Sequence, residues 1–176
     1  MMGSNPKAKG TSIPGLYVLA AQDIFKLREQ MKLFHIQVGV SLFEIYMEKA
    51  FDLLNNRKEC PVRVDNQNVV HVVGLSEQAI TNVNSLMDII DYGQNCRVTG
   101  KTSMNEHSSR SHAILQIIFR NVQTGKAQGK MSFIDLAGNE RAADTTGSSK
   151  QTMNDGAGIN QSLLALKECR LEVIRY

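Results

Sequence analysis

The chain has 176 residues, 42% of them apolar and 21% charged, which is one domain's worth of sequence with enough apolar material to exclude wholesale disorder. A net charge of +3 is too mild to argue for nucleic acid, although it suits an acidic partner surface. Three widely spaced cysteines, Cys60, Cys96 and Cys169, speak for a reducing compartment and against a disulfide framework, and no stretch reads as a signal peptide or a membrane span.

Residues 1–13 are polar and read as a loop. Pro14 suits the first turn of a helix over about 15–32, with Leu16, Leu19, Ala20, Ile24 and Leu27 recurring at helical spacing as its expected buried face. Residues 36–46, IQVGVSLFEIY, are apolar at odd and even positions and rich in β-formers, as in a strand covered on both faces. Glu44 interrupts that pattern and calls for a nearby cation. Residues 47–54 read as a turn and a short helix, with Phe51, Leu53 and Leu54 in the core. Two β-rich runs, 62–64 and 69–73, flank the turn signal Asp65-Asn66-Gln67-Asn68 and predict a hairpin. The few basic residues around it, Arg57, Lys58, Arg63 and His71, read as a solvated face.

A second helix is predicted over 85–97, with Ser85-x-x-Asp88 as its capping pattern and Leu86, Ile89, Ile90 and Cys96 as its apolar stripe. Residues 113–119 form another strand apolar on both faces. The stretch 121–129 then turns the chain antiparallel into a strand over 130–136. Residues 142–153 are a small, polar loop, and a further helix starts at Asp155.

Two stretches carry chemistry. In 131–141, MSFIDLAGNER, an apolar run ends in Asp135 and Gly138 follows three residues later. Such a carboxylate can hold Mg²⁺ through water, and a glycine N–H can approach a terminal phosphate closely. Alone, Asp-x-x-Gly is usually a plain strand-to-turn transition. The second stretch, 105–112, reads NEHSSRSH, a hydroxyl-rich loop feeding an apolar strand. Ser108 and Ser109 can supply Mg²⁺ and phosphate ligands, and Arg110 offers a charge that Glu140 could pair with.

Three other strings lead nowhere. Residues 95–102 match Gly-x-x-x-x-Gly-Lys-Ser/Thr except that Asn95 replaces the first glycine, and they follow a predicted helix where a phosphate loop follows a strand. His107 and His112 lack the cysteine or carboxylate cluster that would complete a structural metal site. Asn160-Gln161-Ser162 matches the glycosylation sequon by letters alone.

Taken together, Asn-x-x-Ser-Ser-Arg-Ser-His and Asp-Leu-Ala-Gly-Asn-Glu resemble the two switch loops of kinesin motor domains, a highly specific pairing. Asn139 before Glu140-Arg141, and the later run GINQSLLALKEC, resemble the internal-motor kinesins, the thirteenth family, which depolymerise microtubule ends. The resemblance spans about 15–169 and implies an α/β fold of the kinesin-type P-loop NTPase kind, a mixed central sheet with helices on both faces. The strand over 131–136 would be the inner edge of the part kept here, where the phosphate-loop strand would pair. The chain would be a partial motor domain over 1–176, with switch loops at 105–112 and 135–140 and a relay helix at about 155–174.

The implied function is a microtubule-stimulated ATPase using ATP and Mg²⁺, coupled to microtubule-based movement or depolymerisation, located in the cytoplasm on the microtubule cytoskeleton, with the spindle one candidate location. By resemblance Asn105, Ser108 and Ser109 sense the γ-phosphate and Mg²⁺, Asp135 holds Mg²⁺ through water, Gly138 donates its N–H, and Arg110–Glu140 latches the closed state. Lys150, Asn160, Lys167, Glu168, Cys169 and Arg170 would face tubulin. Neither nucleic acid nor membrane is an expected partner, and the oligomeric state is left open. Gly158 stands where the family usually has glutamate, Gln161 where lysine is common, and residues 170–176 leave the family pattern. The expected phosphate-binding loop would lie upstream of Met1-Met2-Gly3, so weak ATP binding by this chain is expected. The alternative is a non-catalytic remnant that at most binds tubulin through the relay helix.

Overall fold

The computed structural model describes residues 15–46, 49–99 and 111–137. In chain order the elements are α1 (Leu16–Gln30), β1 (Ile36–Tyr46), β2 (Lys49–Asp52), β3 (Lys58–Cys60), β4 (Val62–Val64), β5 (Val70–Val72), β6 (Gln78–Ile80), α2 (Val83–Thr99), β7 (His112–Asn121) and β8 (Ala127–Asp135).

β1 is the axis of the sheet. It pairs along one side with β7, from Ile36↔Asn121 to Ile45↔His112. Its other side is shared by β6, at Val38↔Ile80 to Val40↔Gln78, and by β2, at Phe43↔Asp52 to Tyr46↔Lys49. β3 extends the sheet beyond β2 and β8 extends it beyond β7, giving the order β3-β2-β1-β7-β8. Every ladder among the described residues is antiparallel. Among the described residues β8 ends this path.

The register explains why β1 and β7 are apolar at odd and even positions. Val38, Val40 and Leu42 share a face with Leu115 and Ile117, and Tyr17 and Ala21 of α1 and Leu86, Ile89 and Ile90 of α2 close over them. The alternate positions, Phe43 and Ile114, join Ala50 and Cys60 in a second cluster on the other face, with Val72, Leu75 and Ile134 against it. The α/β architecture expected from the sequence is present.

α1 forms where expected but turns a different face inward. Tyr17 and Ala21 are buried and Ile24 and Phe25 pack on the core, whereas Leu16, Leu19 and Leu27 are about half exposed. Ala21 lacks bulk, so the helix axis can come close to the sheet there, and the Tyr17 ring meets Phe133 of β8 edge-on at 5.6 Å between centroids. Arg28 then donates from Nε to Ile36 O at 2.9 Å, tying the end of the helix to the start of β1.

The expected short helix before Leu54 is instead the strand β2 and a turn. Alternation decides this: Ala50 and Asp52 point inward while Lys49 is exposed. The buried Asp52 carboxylate accepts from Leu54 N at 2.8 Å and from Ser76 N at 2.7 Å, which pins the turn and the approach to β6. Leu53 and Leu54 are in the core as expected. α2 is capped by Asn82 rather than Ser85: Ser85 N donates to Asn82 Oδ1 at 2.9 Å, and the Ser85 hydroxyl oxygen accepts from Asn82 N at 3.2 Å. β3 and β6, three residues each, are too short to leave a periodic signal. The β4–β5 hairpin is as expected, with Asp65 Oδ1 accepting from Gln67 N and Val69 N across its turn.

Candidate functional site

β8 carries Asp135 to its C-terminal end, opposite Ala113 of β7, and leaves that carboxylate exposed. The neighbourhood is electrostatically marked. Burial raises the Tyr17 hydroxyl above its ordinary pKa, the Asp135 charge pushes the same way, and Arg97 opposes both. An exposed oxygen donor at a strand end fits a hard divalent cation such as Mg²⁺.

The ladder between β7 and β8 ends at Ala113↔Asp135, yet the backbone beyond it is held. Ala137 N donates to His112 Nδ1 at 3.0 Å, with both residues buried. Nδ1 accepts, so the neutral ring carries its proton on Nε2. Burial holds the His112 imidazole below the usual histidine pKa, and the Arg97 guanidinium adds to that.

Next to His112, Ser111 is fastened to α2. Arg97 donates from Nη2 to Ser111 O at 2.8 Å and to Ser111 Oγ at 2.9 Å. Arg97 Nε also lies 3.5 Å from Glu44 Oε2. The other Glu44 oxygen accepts from Arg57 Nε, and the Arg57 guanidinium stands 4.6 Å over the Phe51 ring. Glu44 therefore has the cation its position called for. Arg57, by contrast, does not belong to the solvated face assigned to it with Lys58, Arg63 and His71. Exposed His71 instead pairs with Asp65, Nε2 to Oδ2 at 2.7 Å, and that contact comes first among the causes that hold the Asp65 carboxyl below its usual range.

Of the site residues expected from the sequence, Asp135 is the one described. Asn105, Ser108, Ser109, Arg110, Gly138 and Glu140 lie outside the described residues, as do Lys150, Asn160, Lys167, Glu168, Cys169 and Arg170 and the helix expected at 155–174. Asn95 sits inside α2, which runs to Thr99, so the near-match to a phosphate loop starts as helix. Among the described residues no group of three or more His, Cys, Asp or Glu is placed to hold a metal ion. Sequence reasoning passed over Arg97, Ser111 and the Nδ1 contact of His112. A polar pair opening an apolar strand was the available signal, and it does not say which backbone group the ring will meet.

The kinesin motor domain model matches residues 1–174. The chain belongs to the kinesin motor domain family. Among solved structures, a fast kinesin described for its ATPase mechanism and interactions with microtubules is 32% identical with a TM-score of 0.70, over 99% of this chain and 52% of that one. A KIF14 dimer in a two-heads-bound state, with AMP-PNP and in complex with a microtubule, is 28% identical with a TM-score of 0.65, over 87% of this chain and 46% of that one. The chain spans about half the length of these kinesin structures. Within the kinesin fold, His112 ends one switch-like motif and Ala137 immediately precedes Gly138 of the other.

Proposed function

We propose that this chain serves a microtubule-associated, ATP- and Mg²⁺-dependent motor, similar to the internal-motor, thirteenth-family kinesins, that couples ATP hydrolysis to movement along microtubules or to their depolymerisation. The observation that carries the reading is the end of β8: an exposed Asp135, followed two residues later by a buried amide held on His112. That combination offers an oxygen ligand and a fixed amide at Ala137, next to Gly138 in the sequence. Mg²⁺–ATP, when bound, would supply the phosphoryl group whose loss drives the cycle. Asp135 would hold the cation through ordered water, with the Ser109 hydroxyl as a further oxygen donor. Asn105 and Ser108 would bind phosphate oxygens, the Gly138 N–H would sense the terminal phosphate, and Arg110 would pair with Glu140 when the loops close. Lys150, Asn160, Lys167, Glu168, Cys169 and Arg170 would meet tubulin.

A second reading, tubulin binding without catalysis, is favoured by one observation. The 176 residues contain no Gly-x-x-x-x-Gly-Lys-Ser/Thr string. Phosphoryl transfer leans on that lysine and backbone cradle for charge stabilisation. We therefore expect these residues alone to bind ATP weakly.

Microtubule co-sedimentation and titration with a fluorescent ATP analogue test both readings. Pelleting with microtubules and weak nucleotide binding are expected. Micromolar, Mg²⁺-dependent binding would contradict the second expectation and return Gly100-Lys101-Thr102 to consideration. A chimera carrying the phosphate-loop strand and loop of a related kinesin separates the readings: microtubule-stimulated ATPase supports the motor, and tubulin binding without turnover supports the alternative. No pelleting by either protein defeats both.

A further inference from the structure

The β7–β8 ladder stops one pair short of the segment that matters. Among the described residues no further β7–β8 ladder pair follows Ala113↔Asp135, and Ala137, 5% exposed, still carries an N–H that must find an acceptor. The acceptor is a side chain 25 residues earlier, the imidazole of His112, itself 0% exposed. The ring in turn is not free to wander. Its residue opens β7 in register with Ile45 of β1, and the preceding Ser111 is bonded through O and Oγ to Arg97 of α2. Thus α2, the start of β7 and the end of β8 meet at one buried point.

We infer that His112 is a positioning residue, whose Nδ1 fixes the amide of Ala137, the residue that precedes Gly138 in the sequence. It ties β7 to the chain following β8 by one side-chain bond after the backbone ladder has ended, one residue off the ladder's register. The acceptor must sit one atom from the ring's attachment carbon, because the bond is made by Nδ1 and not by Nε2. Asparagine presents its Oδ1 at the corresponding place, whereas glutamine presents its oxygen one bond further out. The importance of Gly138 rests on the proposed motor reading; the bond itself does not.

The test measures amide hydrogen exchange at Ala137 by NMR on the full 176-residue chain, without nucleotide or tubulin, so that its outcome is independent of the motor reading. In the unsubstituted chain, His112 Nδ1 should show the imidazole ¹⁵N shift of an unprotonated acceptor at neutral pH. His112→Asn should keep Ala137 protected, while His112→Gln and His112→Leu should speed its exchange about tenfold, the effect of losing one buried hydrogen bond. Equal protection in all variants, equal loss in all three, or a protonated Nδ1 in the unsubstituted chain overturns the inference. If His112→Leu does not fold, the asparagine–glutamine comparison and the ¹⁵N shift still decide it.

Discussion

Arg97 lies with its Nε 3.5 Å from the Oε2 of Glu44, a carboxylate with no exposed surface. That oxygen accepts no hydrogen bond, so its charge is met by Arg97 as an ion pair, while Arg57 serves the other oxygen. Arg97 is thus shared between a buried charge and the Ser111 backbone. Removing it should leave the carboxylate half compensated and Ser111 O without its donor. Arg97→Ala is expected to cost about 3–5 kcal/mol, the range for breaking a buried pair from one side. Urea denaturation of both proteins checks this, and a loss below about 1 kcal/mol would mean that the pair behaves as a surface bridge.

The face that α1 buries can be tested with two substitutions in this chain. Tyr17 is 6% exposed and Leu19 is 43% exposed. Tyr17→Ala should cost about 3–5 kcal/mol, as for other large aromatic truncations. Leu19→Ala should stay within about 0.5 kcal/mol. The opposite ranking in thermal or urea unfolding would restore the face read from spacing.

Gly93 sets helix propensity against packing. Alanine would improve an isolated helix by about 1 kcal/mol. Here a Cβ would run into Cδ2 of the buried Leu42, and would stand 3.3 Å from Leu42 Cγ and 3.5 Å from Leu53 Cβ. Overpacking costs about 1–3 kcal/mol. Leu42 is 4% exposed and has little room to retreat, so packing should win. Gly93→Ala is expected to lower the unfolding midpoint, and a stabilised variant would show that α2 can slide away from β1.

Stability should also follow the protonation of His112. Its folded-state pKa lies below the ordinary 6.5, through burial first and Arg97 second. The folded chain therefore binds its proton less readily than the unfolded chain. Above about pH 6.5 both states are neutral and the contribution is complete. As pH falls below that value the unfolded chain is protonated first and stability drops. Urea midpoints measured from about pH 8 down to about pH 5 should decline, and His112→Asn should flatten that decline. An unchanged slope in the variant would assign the decline to other groups.

The residue pattern was enough for β1, β7 and the β4–β5 hairpin. A strand buried on both faces is apolar at odd and even positions alike, with a buried exception such as Glu44 needing a partner, and a turn that needs Asn68 at φ +62° selects its own residues. It was also enough for the kinesin family, because each of the two switch-like strings is an unbroken run of residues. Periodicity reports that a helix has an apolar side, but α1 offers two. Burial of Ala21 and the aromatic contact of Tyr17 with Phe133 choose between them, and that contact depends on a strand more than a hundred residues away. The same holds for β2, where pairing with β1 gave a strand in place of the turn and short helix expected over 47–54. It holds most of all for His112. Nothing local to Ser111-His112 specifies the amide of Ala137; the register of β7 on β8 brings it within 3.0 Å, and a buried N–H without a ladder partner takes the acceptor it finds there.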